Sequence, residues 1–239
     1  MQLYFHIHSL ELKHQFNIAR DSYSSQQVVI VELRDGDLIG LGEAITNAYY
    51  QVTVENMCST LERLRPLIES YVLDTPEQFW AFLAPHLRNN PFVLCALDNA
   101  ANDLWAKKQG LPLYAAWGLK KENLPLTDYT IGIDSIEKML FKMQEMPFPL
   151  YKIKLGTPND IEIVETLRQH TTAVFRVDAN CGWSVEETIT NAKALKALGV
   201  EFIEQPLKAD NWEGMKEVFA KSILPIIADE SCQNEADVA

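Results

Sequence analysis

Five charged side chains lie at or near the ends of four successive apolar segments of the chain, and their chemical types suit proton transfer. The segment YKIKLG carries Lys152 and Lys154, whereas RVDAN, FIEQP and IIADES carry Asp178, Glu204 and Asp229. Residues i and i+2 of a strand point to the same side, so the two lysines share one face. Neighbouring ammonium groups in an enclosed site would lower each other's pKa towards the range of a general base. The open alternative is a solvated pair of lysines that neutralises a carboxylate.

The three acids indicate a divalent cation. Carboxylates that converge in a buried site are costly without compensating positive charge. Mg²⁺ prefers an octahedron of oxygen ligands and leaves positions open for water or substrate. For any single acid the alternative is a helix N-cap or a loop hydrogen bond. Their regular spacing favours Asp178, Glu204 and Asp229 as a joint Mg²⁺ site.

Regular spacing also indicates the fold that must position these side chains. Thr130, Lys154, Asp178, Glu204 and Asp229 are separated by 24, 24, 26 and 25 residues, each near the end of a predicted strand. Short strands that alternate with amphipathic helices predict a parallel sheet, here a (β/α) TIM-type barrel with its site at the carboxyl ends. A doubly wound sheet is disfavoured because no glycine-rich phosphate loop follows any strand. Five strands cannot close a barrel of eight, so we expect the barrel to be incomplete at the C-terminus in this chain.

The first part of the chain has a different pattern, with strands before helices. LYFHIHSLEL and QQVVIVELRDGDLIGLGEA read as strands, and Asp35-Gly36 marks a hairpin turn. Helical patterns follow at 52–70, 75–87 and 91–109. This order is typical of an α+β fold. We therefore predict an N-terminal α+β capping domain at 1–123 and the first part of a barrel domain at 124–239.

Composition limits the partners. A formal net charge of -12 argues against nucleic acid and anionic membranes, which leaves a small molecule as the favoured ligand. The four cysteines contain no Cys-x-x-Cys pair and are predicted to be free thiols. The N-terminus reads as a strand and not a signal peptide, and no apolar stretch approaches a membrane span, so we predict a cytoplasmic protein. A homo-oligomer is compatible with the sequence, which leaves the oligomeric state open.

The motifs K-x-K, D-A-N, E-Q-P and A-D-E-S together resemble the muconate-lactonizing subgroup of the enolase superfamily, over essentially the whole chain. The resemblance implies that Asp178, Glu204 and Asp229 bind Mg²⁺. It further implies that Lys154 is the acid/base and that Lys152 assists it electrostatically. Enolase-superfamily sites use such groups to stabilise an ene-diolate. The family's second catalytic lysine comes from the following strand, which would lie beyond residue 239.

The segment LTDYTIGI is similar to the T-D-Y-T of dipeptide epimerases within that subgroup. This resemblance implies an isomerase that epimerises dipeptides by removing a proton alpha to a carboxylate, with Thr130, Lys152 and Arg20 contacting the substrate. It places FNIARDSYSS at a mobile specificity loop. Arg20 is shifted by about one position from the arginine that reads an acidic side chain, so the preferred dipeptide stays open.

Two kinds of alternative function remain. The same scaffold supports cycloisomerases, o-succinylbenzoate synthases and N-acylamino-acid racemases, which also act through an ene-diolate. A catalytically dead protein that binds a metal and a carboxylate is the alternative outside enzymes. The last barrel strands would separate the reactions, and turnover would separate an enzyme from a remnant.

Overall fold

The computed structural model describes residues 1–238 and divides the chain into two compact units. The first unit comprises Met1–Lys13 and Ser24–Leu124, and the second comprises His14–Tyr23 and Pro125–Ala239. The predicted domain division between residues 123 and 124 stays a prediction. The sequence did not indicate that residues 14–23 pack with the second unit.

The first unit is built on a three-stranded sheet in the order β1-β2-β3. Strands β2 and β3 are antiparallel with Asp35 opposite Leu38, which confirms the predicted hairpin turn. The strands are β1 (Gln2–Ile18), β2 (Asp21–Asp35) and β3 (Leu38–Ile45), and the helices are α1 (Val54–Glu69), α2 (Pro76–Leu83), α3 (Pro91–Lys108) and α4 (Leu113–Ala116). A short 3₁₀ turn, Ala84–His86, extends α2.

Helix caps and apolar periodicity explain this unit. The Thr53 and Thr75 side chains accept hydrogen bonds from the backbone at the starts of α1 and α2. Pro91 starts α3, as predicted, because its fixed φ suits the first helical position. One face of β2 and one face of α3 are buried in the same apolar core, which includes Val29, Val31, Leu33, Leu97, Ala100 and Leu104.

The second unit contains a five-stranded parallel sheet in the order β4-β5-β6-β7-β8. Its strands are β4 (Tyr129–Ile131), β5 (Leu150–Lys154), β6 (Val174–Asp178), β7 (Val200–Glu204) and β8 (Ile226–Ile227). The intervening helices are α5 (Ile136–Glu145), α6 (Asp160–Arg168), α7 (Val185–Ala197) and α8 (Trp212–Lys221), followed by a 3₁₀ turn at Glu235–Val238. The predicted α+β part followed by parallel βα units is confirmed.

Strand β5 shows how the unit orients its charged side chains. Ile153 and Leu155 are fully buried in a core that they share with Val164 and Leu167 of α6. Alternation along a strand therefore turns Lys152 and its i+2 neighbour to the opposite face. The prediction that Lys152 and Lys154 share one face of the strand is confirmed, since both contact the same Asp178 oxygen.

Residues 14–23 form the tip of the β1–β2 hairpin. Only Ala19 and Arg20 lie outside the strands, so the expectation that FNIARDSYSS is a loop is wrong. Polar side chains support the tip: Gln15 donates to the Ser22 hydroxyl at 2.7 Å, and that hydroxyl donates to Asn17 at 2.6 Å. Within the same unit, Asn17 and the backbone of Ile133 exchange two hydrogen bonds of 2.8 Å. These bonds fix the tip beside the end of β4.

Candidate active site

Strand register brings three of the predicted charged residues side by side. Lys154 pairs with Asp178 across β5 and β6, and Asp178 pairs with Glu204 across β6 and β7. Neighbouring strands lie about 4.8 Å apart, so the three side chains start from adjacent positions. Glu204 pairs in turn with Ile227, and Asp229 follows two residues later. Lys154, Asp178, Glu204 and Asp229, which are regularly spaced in the sequence, therefore lie at the carboxyl ends of four neighbouring strands.

The three carboxylates form one cluster. Asp178, Glu204 and Asp229 each offer an oxygen, and these oxygens all lie within 4.8 Å of one another. Desolvation raises the pKa of Glu204 by more than the hydrogen bond from Lys152 lowers it. Desolvation also raises the pKa of Asp229, with a further contribution from the neighbouring Glu230 carboxylate. Both shifts arise chiefly because burial disfavours the charged form of a carboxylate.

Both lysines pair with the cluster. Lys152 Nζ lies 2.6 Å from Glu204 Oε1 and 3.0 Å from Asp178 Oδ2, and Lys154 Nζ lies 2.7 Å from the same Asp178 oxygen. Burial opposes ionisation of Asp178, but Lys154 and Lys152 outweigh burial and hold its pKa below the usual range.

The pKa of Lys152 differs from the sequence expectation. Burial acts to lower this pKa, but the charges of Asp178 and Glu204 outweigh burial and raise it above its ordinary value. The prediction of a pKa lowered by the neighbouring lysine is therefore wrong for Lys152. The carboxylates lie within hydrogen-bonding distance of the ammonium group, and this contact decides the direction of the shift.

The donor set fits a hard divalent cation. Three carboxylates and two ammonium groups leave one negative charge in excess, and a divalent ion would change that to one positive charge. Carboxylate oxygens are the ligands that Mg²⁺ prefers. A net positive cluster at the carboxyl ends of the strands would attract an anionic substrate group.

Thr130 and Arg20 occupy different parts of the same unit. Thr130 is half-buried and pairs with Lys152 across β4 and β5. At the hairpin tip, the Arg20 guanidinium lies 2.6 Å from Glu230 Oε1 and donates a 3.0 Å hydrogen bond to the backbone oxygen of Asn180. Glu230 adjoins Asp229 in sequence, so Arg20 lies at the edge of the carboxylate cluster. Their roles in substrate binding stay predictions.

Sequence reasoning missed two buried acids of the second unit. Glu230, whose side chain is 1% exposed, is the second acid of A-D-E-S and forms an ion pair with Arg20. Asp160 is buried and accepts hydrogen bonds from the Gly156 and Thr157 backbones and from the Trp183 indole. Asp160 thereby joins the loops that follow β5 and β6. The position of Glu230 in the A-D-E-S motif could have indicated it. Asp160 gave no such signal, because an aspartate at the start of a helix is common.

Cys181 lies beside this site but does not suit nucleophilic chemistry. Partial burial, with the neighbouring Glu230 carboxylate, raises the pKa of the Cys181 thiol to about 11. The thiolate is the nucleophilic form, so this thiol is almost entirely unreactive near neutral pH. All four cysteines are free thiols, as predicted. The chemistry of the site therefore falls to its lysines and carboxylates.

A parallel βα sheet with lysines and acids at its carboxyl ends, following an α+β unit, defines an enolase-type architecture. Residues 4–118 match the model of the mandelate racemase / muconate lactonizing enzyme N-terminal domain, and residues 136–239 match the enolase C-terminal domain-like model. The chain belongs to the mandelate racemase / muconate lactonizing enzyme family.

Relatives within this family are similar over the whole chain. An L-Ala-D/L-amino acid epimerase of Flavobacterium johnsoniae is 58% identical over 239 residues, which span 100% of this chain and 71% of the relative. A Maribacter protein of the same name is 51% identical over 238 residues, covering 100% of this chain and 70% of the relative.

A solved structure supports the same relationship. The dipeptide epimerase of Enterococcus faecalis, complexed with Mg and the dipeptide L-Leu-L-Tyr, superposes with a TM-score of 0.91 at 30% identity. The match covers 99% of this chain and 69% of that chain. The two folds therefore correspond over nearly all of the present sequence.

Proposed function

We propose that the protein containing this chain is an Mg²⁺-dependent isomerase that epimerises dipeptides by removing the proton alpha to a carboxylate. The observation that carries the proposal is the contact of Lys152 and Lys154 with the carboxylate cluster at the ends of β5, β6 and β7. The epimerases with 58% and 51% identity support dipeptides as the substrate class.

Each group in the cluster has a defined task in this reaction. Asp178, Glu204 and Asp229 hold Mg²⁺, which when bound lowers the free energy of the negative charge that develops on the substrate carboxylate. Lys154, the last residue of β5, removes the alpha proton on one face of the substrate. Lys152 lies two residues earlier and contributes positive charge near the substrate carboxylate.

The stereochemistry of epimerisation requires a second proton donor. Inversion needs removal of the proton on one face of the substrate and its return on the other. Lysines that share one face of β5 cannot reach both faces of the substrate. Lys154 therefore accounts for one face only. Thr130, on the neighbouring strand β4 and level with Lys152, is proposed to contact the dipeptide.

The alternative reactions share the ene-diolate chemistry, so the carboxylate cluster by itself does not distinguish them. Identity of more than half the residues to two L-Ala-D/L-amino acid epimerases, together with the dipeptide in the similar Enterococcus faecalis structure, favours dipeptides over cycloisomerase, o-succinylbenzoate synthase and N-acylamino-acid racemase substrates. A catalytically dead metal- and carboxylate-binding protein would show no turnover with any of these compounds.

The proposal predicts metal-dependent exchange of one proton. In D₂O, ¹H NMR of an L-Ala-containing dipeptide should show loss of the C-terminal residue's alpha-proton signal and growth of the second epimer. Excess chelator should stop both changes, and added Mg²⁺ should restore them, because the alpha carbanion loses its main electrostatic stabilisation without the cation. Undiminished exchange in chelator would contradict the metal assignment, and absence of exchange with Mg²⁺ present would contradict the reaction.

Arg20 allows a prediction about substrate preference. Glu230 already partners its guanidinium at 2.6 Å, so an acidic substrate side chain would have to share that positive charge. We therefore expect Arg20→Ala to lower kcat/KM for L-Ala-L-Glu and for L-Ala-L-Leu by similar factors that differ by less than about fivefold, which corresponds to about 1 kcal/mol. Steady-state rates for both dipeptides measure the two factors. A much larger loss for L-Ala-L-Glu alone would show that Arg20 reads the acidic side chain.

Location and assembly are proposed on sequence grounds. None of the helices among the described residues is long and apolar enough to cross a bilayer. A cytoplasmic location and the exclusion of nucleic-acid partners rest on the net charge of -12 and the scattered cysteines. The oligomeric state stays open.

A further inference from the structure

Gln205 lies between three strand ends of the second unit. It follows Glu204, is fully buried, and has a left-handed φ of 33°, a conformation that is uncommon outside glycine. Its backbone N–H donates to the oxygen of Ile227 at 2.8 Å, and its backbone oxygen accepts from Cys181 at 2.8 Å. The residue therefore extends the hydrogen bonding of the parallel sheet beyond the last residues of β6, β7 and β8.

The Gln205 side chain forms four hydrogen bonds. Its Oε1 accepts from the backbone N–H of Asp229 at 2.9 Å and from that of Ser231 at 3.1 Å. Its Nε2 donates to Ser231 Oγ at 2.7 Å and to the Leu207 backbone oxygen at 2.9 Å. Two donors and two acceptor positions are the full capacity of an amide, and a carboxylate or an apolar side chain could not replace all four.

Asp229 needs such support because its own strand is short. Strand β8 contains only Ile226 and Ile227, and Asp229 lies two residues further along. The adjoining Ser231 is buried, and its hydroxyl donates to the Ala209 backbone at 2.9 Å. Gln205 and Ser231 thus hold the turn that contains Asp229 against the loop that follows β7.

We infer that Gln205 is a positioning residue that holds Asp229 beside Asp178 and Glu204 at a separation suited to one divalent cation. The inference rests on the proposed function only in taking these carboxylates as the metal ligands. The Gln205 side chain bonds to the Asp229 backbone and to no carboxylate of the cluster, so it acts through that backbone. Groups that orient metal ligands from the next shell typically contribute 10- to 100-fold to affinity.

The test is divalent-cation binding by Gln205→Met, which keeps the side-chain length and removes all four hydrogen bonds. Mn²⁺ serves as the probe, because the EPR signal of free Mn²⁺ reports binding without substrate or turnover. We expect the Mn²⁺ dissociation constant to rise about 10- to 100-fold. Epimerase activity should recover as the Mg²⁺ concentration is raised, since the catalytic groups themselves are intact.

Gln26→Met is the matched control. Gln26 is a half-buried amide of the first unit that donates to the Thr46 backbone at 3.0 Å, so its loss should lower stability without changing Mn²⁺ affinity. If Gln205→Met does not fold, Ser231→Ala removes only the hydroxyl bonds and should raise the dissociation constant several-fold.

The outcomes separate this inference from the proposed function. Wild-type Mn²⁺ affinity in folded Gln205→Met, or in Ser231→Ala when the first variant is unfolded, would overturn the inference even if dipeptides are epimerised. If Gln205→Met binds Mn²⁺ weakly and the wild-type protein epimerises no dipeptide, the inference is upheld and the proposed function is overturned. An equal loss of affinity in Gln26→Met would show a general effect of lower stability and would also overturn the inference.

Discussion

Replacing Asp178 with Asn is expected to abolish measurable dipeptide epimerisation. Asp178 is fully buried, contributes an oxygen to the carboxylate cluster, and contacts the ammonium groups of Lys152 and Lys154. The amide would remove a charge that is proposed to hold the cation, and it would leave both lysines with a weaker partner. Loss of one stabilising group costs roughly 10²–10³ in rate in other enzymes, and here two interactions are lost together. Mn²⁺ affinity should fall in parallel.

Asp210→Asn is the control for this substitution. Asp210 is exposed, so the same chemical change at that position should leave rate and Mn²⁺ affinity unchanged. Circular dichroism must show that Asp178→Asn is folded, because breaking a buried ion pair also lowers stability. A folded Asp178→Asn protein that turns over a dipeptide at the wild-type rate would contradict the assignment of Asp178 as a metal ligand.

Local patterns predicted elements such as β5 and α6, although not the strands that form the hairpin tip at residues 14–23. The apolar positions of β5 and α6 repeat with periods of two and 3.6 residues, which identifies both elements and their buried faces. Ser184 and Glu187 form a capping box at the start of α7, as the spacing in SVEE allows. These signals depend on neighbours in sequence, so no knowledge of tertiary contacts was needed.

The candidate site was only partly predictable, because its electrostatics depend on contacts between distant segments. Spacing indicated that Asp178 and Glu204 would meet, but it gave no distance between Lys152 and either acid. At 2.6–3.0 Å those acids raise the lysine pKa where mutual repulsion of the lysines had predicted a decrease. Gln205 had no distinguishing signal beyond its place after Glu204, since three of its four side-chain hydrogen bonds go to Asp229 and Ser231, which lie 24 and 26 residues away.

Lys154→Ala is expected to stop epimerisation while leaving proton exchange on the opposite face. Lys154 is the last residue of β5, two positions nearer the carboxyl end than Lys152, and its Nζ lies 2.7 Å from the buried Asp178. A base at that position reaches one face of a substrate whose carboxylate lies beside the cluster. Without it one dipeptide epimer should retain its alpha proton in D₂O, whereas the other can still exchange through the second base that inversion requires.

Lys142→Ala is the matched control, because Lys142 is also a buried lysine with a carboxylate partner, Asp134, at 3.3 Å, but lies on α5 away from the cluster. Its loss should lower the melting temperature and leave exchange from both epimers intact. NMR spectra of each pure epimer, recorded with Mg²⁺ in D₂O, separate exchange from inversion. The assignment of Lys154 as the base on one face fails if Lys154→Ala interconverts the epimers at the wild-type rate. It also fails if the variant removes deuterium exchange from both epimers equally in a folded protein that still binds Mn²⁺, because the opposite base should act independently of Lys154.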